Sequence, residues 1–303
     1  MIKTLSKEQA ETASFLCKFA DFSYCRLEAS EQLDPTFAVE RGWIVDNVRS
    51  IHDPSSGMDF TFFVRVRVDP QTDKTILDLA VTFRGAQVTW RPQWLDVVSG
   101  LSRGLPQWQK SRDLVLRKLH VPMRRALLSG GTIYVTGQSM GHMLVQFAAA
   151  DIVDDLAHDP TLEKHGKWTM ENVSRHVVAY GFGGVGVNNL LTKIALPNGR
   201  KLSSDLLRYA DVKHFVDDYD PARLLTWVYA GDNNRTWSAP KPYQPFRTAV
   251  KKSLIFRLFG IPLPNILLPF SFLWHFFYTA HSVTGYNISV FERSTARAQK
   301  SRA

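Results

Sequence analysis

Cysteine is nearly absent from this chain: among 303 residues only Cys17 and Cys25 occur. They share one helical pattern and lie about 12 Å apart at about 1.5 Å of rise per residue, too far for a disulfide. The fold must therefore be held by packing, and a hydrophobic content of 45% supplies a core for one large domain or two small ones. Also missing is an apolar signal core. Residues 1–10 are polar and charged, so cytoplasmic residence is expected, with signal-independent export or peripheral lodging at a membrane as the alternatives. No nucleic-acid motif with the required spacing is present and the basic residues are scattered, which argues against a nucleic-acid partner. Acidic residues are in deficit, 28 against 37 Lys and Arg, and the resulting charge of +9 favours an anionic partner such as a lipid head-group surface. The pattern calls for no metal and no cofactor, and it leaves the oligomeric state open.

One apolar stretch stands out. Residues 251–280 are dense in Leu, Ile, Phe and Trp and long enough to span a bilayer, but Pro262, Pro264, Pro269 and Arg257 break any single helix across them. A core wall, a substrate-binding cap or a lid is the better expectation. Beside Lys251, Lys252 and Arg257, the stretch also suits a protein that lies on a membrane and takes substrate from it.

Residues 6–27 read as an amphipathic helix, and 61–68 alternate as a strand with Phe62, Val64, Val66 and Val68 on one face and Arg65 and Arg67 on the other. A turn over 69–73 leads to a second strand over 75–83. A helix over 106–128, kinked or broken at Pro122, runs through Gly130-Gly131 into an apolar strand ending at Thr136. Strands over 175–180, 212–216 and 225–229, separated by helical or loop segments, complete the βα rhythm of a mostly parallel sheet flanked by helices, an α/β fold. There is no internal repeat. Residues 231–246, rich in Pro, Asn, Gly and Ser, read as a surface excursion that with the apolar stretch forms a cap over 231–280, and 294–303 is a basic tail on a single domain spanning 1–303.

Gly137-Gln138-Ser139-Met140-Gly141 joins the strand to a helix-like run from His142 to Leu156. Strand, tight turn and helix around GxSxG make a nucleophile elbow, in which small residues two before and two after the serine let strand and helix crowd together. A serine hydroxyl is a poor nucleophile at neutral pH, so it needs a histidine to take its proton and an acid to hold that histidine. Chain order in this architecture is Ser, acid, His. Of the histidines after Ser139, His142 lies on the elbow's own helix and reads as a packing or pocket residue, His176 falls inside a strand, and His214 precedes the candidate acids. His158 and His165 flank a charged loop. His281, closing the apolar segment, is the expected base. The strand over 212–216 runs into Asp217, Asp218, Asp220 and Pro221; Asp220 is the chosen acid, with Asp217 and Asp218 as alternatives. The backbone N–H of Met140 is one oxyanion donor, and that of Ala86, in the glycine turn after the strand over 75–83, is the second.

Together, VTFRGAQ at 81–87 with Trp94 and Asp96, VTGQSMG at 135–141, YGFGGVG at 180–186, DDYDPARLL at 217–225 and HSVTGY at 281–286 resemble the class 3 lipases. These are α/β-hydrolases that include fungal triacylglycerol lipases and plant and bacterial phospholipase A1-like enzymes. The resemblance implies Ser139, Asp220 and His281 as a catalytic triad, Ala86 and Met140 as the oxyanion hole, and lipid esters as substrate. The chain departs from the family at Ala86, where Ser or Thr is usual, at Gln138 and His142 beside the serine, and at Gly183 in place of proline.

Two rivals follow from other features. Residues 181–186 fit GxGxxG after a strand, as in a dinucleotide-binding oxidoreductase, but the helical run after them is too short before the turn at 196–199. The altered oxyanion loop and the basic, aromatic C-terminal third would also fit a non-catalytic membrane- or partner-binding protein that keeps the hydrolase fold.

Overall fold

The computed structural model describes residues 6–25, 36–53, 56–85, 104–164, 168–184, 186–196, 199–202, 206, 211–216 and 236–238. Helices α1 (Lys7–Cys25) and α2 (Thr36–Val39) precede strands β1 (Trp43–Val45), β2 (Ile51–Asp53), β3 (Met58–Val68) and β4 (Thr75–Phe83). Then come α3 (Leu105–Leu128), β5 (Ile133–Gln138), α4 (Met140–Ala157), the single turns α5 (Pro160–Glu163) and α6 (Met170–Ser174), β6 (Val177–Phe182), α7 (Asn188–Leu191), β7 (Asp211–Val216) and β8 (Thr236–Ser238).

The strands form one sheet in the order β1-β3-β4-β5-β6-β7-β8, with β2 also on β3. Pairing is antiparallel from β1 and β2 through β3 to β4, and parallel from β4 to β8. The chain is thus an α/β protein with a mixed, mostly parallel sheet between helices. Alternation along the strands divides the core. Leu79, Val81, Phe83, Ile133, Val135, Val177 and Ala179 face α3 and α4, whereas Phe63, Ala80, Tyr180, Phe182 and Phe215 face α1 with Phe19 and Trp43. Two threonines paired across β4 and β5 seat α1: Thr82 donates to the Phe19 carbonyl at 3.2 Å and Thr136 to the Leu16 carbonyl at 3.3 Å. On the other face, buried Asp151 of α4 accepts from Trp108 and Arg112 of α3 at 2.9 and 2.8 Å, tying the two helices.

Several expectations need correcting. β3 begins three residues earlier than expected: Met58, Phe60 and Phe62 alternate with Asp59 and Thr61, and residues 58–63 are buried on both faces. At its far end Val66 and Val68 are exposed, while Arg65 and Arg67 turn back onto Asp78. The helix at Pro122 is neither broken nor ended; the proline is buried inside α3. Residues 236–238, within the segment read as a surface excursion, pair parallel with β7. The expected strand over 225–229, the apolar stretch 251–280 and the tail 294–303 lie outside the described residues. Among the described residues no helix is long and apolar enough to cross a membrane, and no group of His, Cys, Asp and Glu could hold a metal.

Candidate active site

One rung of the sheet, Phe83, Gly137, Gly181, His214 and Thr236, crosses from β4 to β8 just below the ends of the parallel strands. Those carboxyl ends share one rim, where α/β sheets bind ligands. Ser139 stands on it, half-buried, between the last residue of β5 and the first of α4.

Its backbone is strained. Ser139 has φ 58° and ψ −121°, and among the described residues only Asp73 is another non-glycine with positive φ. Such a conformation costs about 1–3 kcal/mol and persists only where its surroundings over-determine it. Here they do: the Ser139 N–H donates to the Phe182 carbonyl at 2.9 Å, and the Ser139 carbonyl accepts from the His142 N–H at 3.1 Å. The flanking glycines are required by crowding. A Cβ at Gly141 would stand 2.2 Å from the Phe83 carbonyl oxygen, and one at Gly137 would stand 2.7 Å from the Gly141 carbonyl carbon. The turn therefore has the geometry that the GxSxG spacing predicts. Met140 is the first residue of α4, so its N–H belongs to the group of helix-initial amides that have no carbonyl partner within the helix.

The rim is braced at β4. Arg84 and Asp59 are both buried; the Arg84 N–H donates to the Asp59 carbonyl at 3.0 Å, and the guanidinium lies 3.4 Å from the Asp59 carboxylate, which also meets His52 Nδ1 at 2.8 Å. The segment bearing Ala86 thus leaves from a fixed strand end, three residues beyond Phe83. Asp220 follows the end of β7 by four residues. Ala86, Asp220 and His281 themselves lie outside the described residues, as do Asp217 and Asp218.

His142 is buried as a packing residue, as its place on the elbow helix suggests, but it also pairs with His214, its Nε2 lying 2.8 Å from His214 Nδ1. Sequence order sets His214 aside as a base, and nothing local signals its pairing with a residue 72 positions away. His176, expected within a strand, immediately precedes β6 and bonds the Gly131 carbonyl through Nδ1 at 2.7 Å. Gly183 takes φ 58°, which a proline ring forbids.

No family model and no curated protein matches this chain. Among solved structures it is similar to a lipase from Rhizomucor miehei in complex with its propeptide, at 13% identity and a TM-score of 0.41, covering 74% of this chain and 66% of that one. It is similar to a Rhizomucor miehei triacylglyceride lipase at 14% identity and a TM-score of 0.41, with 76% and 81% covered. The extracellular lipase LipA of Serratia marcescens matches at 14% identity and a TM-score of 0.40 over 83% of this chain and 39% of that one. Likeness this slight carries no argument about chemistry, which has to come from the site.

Proposed function

We propose that this protein is a serine hydrolase of the α/β-hydrolase type that cleaves carboxylic esters of lipids through an acyl-serine intermediate. The observation that carries the reading is the strained backbone of Ser139 at the sheet rim, φ 58° between a strand and a helix that meet too closely for any residue but glycine at 137 and 141. A conformation that costs stability and lifts a hydroxyl over the strand ends is what a nucleophile requires.

In this mechanism the Ser139 hydroxyl attacks the ester carbonyl while His281 takes its proton, and the resulting imidazolium is oriented and stabilised by Asp220. Met140 and Ala86 offer backbone N–H groups to the oxyanion, each worth about 3–4 kcal/mol of barrier. His281 then protonates the leaving alcohol, and a water deprotonated by the same imidazole releases the fatty acid. The substrate class draws support from the aromatic, proline-broken stretch 251–280, which supplies apolar area for an acyl chain, and from a net charge of +9, which favours an anionic phospholipid surface over neutral oil.

The test is to treat wild type and Ser139→Ala with a fluorophosphonate probe, then with phospholipid and triglyceride, and identify the released fatty acids. Wild type is expected to take up one probe per chain and release fatty acid. Ser139→Ala is expected to take up none and to lose about 10⁴-fold or more in kcat. Labelling that survives in the alanine variant would remove Ser139 as nucleophile; labelling without lipolysis would move the reading to small soluble esters.

A further inference from the structure

The pair His142 and His214 is a buried polar contact between the helix that follows Ser139 and β7, the strand that precedes the candidate acid. Neither ring reaches solvent, and the two are nearly parallel, with 22° between planes and centroids 5.1 Å apart. Their protonation pattern follows from one bond. The Gly184 N–H donates to His142 Nδ1 at 2.9 Å, and a backbone amide can only donate, so that nitrogen carries no proton. The proton of neutral His142 is therefore on Nε2, and it is donated to His214 Nδ1 at 2.8 Å. His214 in turn keeps its own proton on Nε2. The sequence of bonds runs one way, from Gly184 through His142 to His214.

The space around the ring is fully used. A Cβ at Gly181 would lie 1.9 Å from His142 Cδ2, and one at Gly184 would lie 2.6 Å from both His142 Cβ and the Ser139 carbonyl oxygen. The turn after β6 is also held on its far side, because the Gly183 N–H donates to the Phe215 carbonyl of β7 at 2.8 Å. Three consecutive features of the rim, the elbow, the turn after β6 and the end of β7, are therefore referred to one imidazole.

We propose that His142 and His214 form a positioning pair that sets the spacing between the Ser139 turn and the end of β7. The proposal rests on the serine-hydrolase reading above. Both rings are buried, so the pair acts through the turn that carries Ser139 on one side and through the end of β7 on the other. An acceptor at the Nδ1 position of residue 214 is what the arrangement needs, whereas an acceptor at the Nε2 position does not meet His142.

That distinction makes the test. Asparagine places its carbonyl oxygen near Nδ1 of the histidine it replaces, and glutamine places its own near Nε2. In the full chain, His214→Asn is expected to keep fluorophosphonate labelling and kcat within about threefold of wild type, and His214→Gln is expected to lose about tenfold or more in kcat with KM within about twofold. Equal rates in the two variants would overturn the proposal. Independently of activity, two-bond ¹H–¹⁵N correlations of the full chain carrying ¹⁵N-labelled histidine are expected to show both rings as the Nε2–H form; an Nδ1–H form at either residue would overturn it. A wild type that takes no probe would sink the hydrolase reading and this proposal with it. Equal variants in a labelled enzyme would sink the proposal alone.

Discussion

A methyl group at position 141 would stand 2.2 Å from the Phe83 carbonyl oxygen, which belongs to a paired strand and has nowhere to go. Gly141→Ala is accordingly expected to destabilise the protein by about 2–3 kcal/mol through overpacking, read from urea midpoints, and to abolish probe labelling at Ser139. Gly130 separates space from backbone: it has φ 76° with nothing within 4 Å of an added Cβ, so Gly130→Ala is expected to cost about 1–2 kcal/mol from the left-handed backbone alone. Labelling there should be untouched. At this scale the sequence was most informative where chemistry is local. The two glycines and the serine between them foretold the turn, because crowding at a strand-to-helix junction depends on residues four apart. The imidazole of His142 shows the opposite case, since its role depends on Gly184 and His214, brought beside it by the sheet.

Among the elements, the β3-β4 hairpin was legible from its alternation and its Asp-Pro turn, which closes with the Asp69 N–H on the Lys74 carbonyl at 2.9 Å. β8 was not. Its three residues sit in a run rich in turn-formers, and only the neighbouring β7 makes them a strand. The hairpin carries a charged device of its own. Asp78, fully buried on β4, accepts from Arg65 at 2.7 Å, from Arg67 at 2.8 Å and from the Thr132 N–H at 2.9 Å, which docks the start of β5. Burial works to raise its pKa, but the bonds from Arg67, Thr132 and Arg65 outweigh it and hold the carboxyl below its ordinary value. A carboxyl depressed in the native state stabilises the fold above its unfolded value, near about pH 3.9, and loses that contribution as pH falls through the native value. Asp78→Asn is therefore expected to cost about 1–2 kcal/mol at pH 6, limited because both arginines can rehydrate. The gap between variant and wild type should narrow by pH 3, as urea midpoints at the two values would show.

For the molecule as a whole, charge is unevenly spread: residues 239–303 hold nine of the 37 basic residues and one of the 28 acidic ones. With the apolar stretch among them, these residues are the part expected to meet an anionic lipid surface. Vesicles of phosphatidylglycerol should bind the full chain at low salt and release it at high salt, with phosphatidylcholine vesicles binding little. Replacing Lys251, Lys252 and Arg257 together by Glu should weaken that binding by at least tenfold in co-sedimentation while leaving hydrolysis of a soluble ester unchanged. At the β1 end of the sheet, β1 covers β3 at residues 63–65 and β2 covers it at 58–60. Between them the Phe62 carbonyl accepts the Asp46 N–H at 2.8 Å and the Phe62 N–H donates to the Ser50 hydroxyl at 3.0 Å. A serine side chain thus completes the rung that the break between two short strands would leave open. Over residues 58–65 the open edge of β3 is thus covered, and a neighbouring molecule finds no unpaired β3 backbone there on which to extend the sheet.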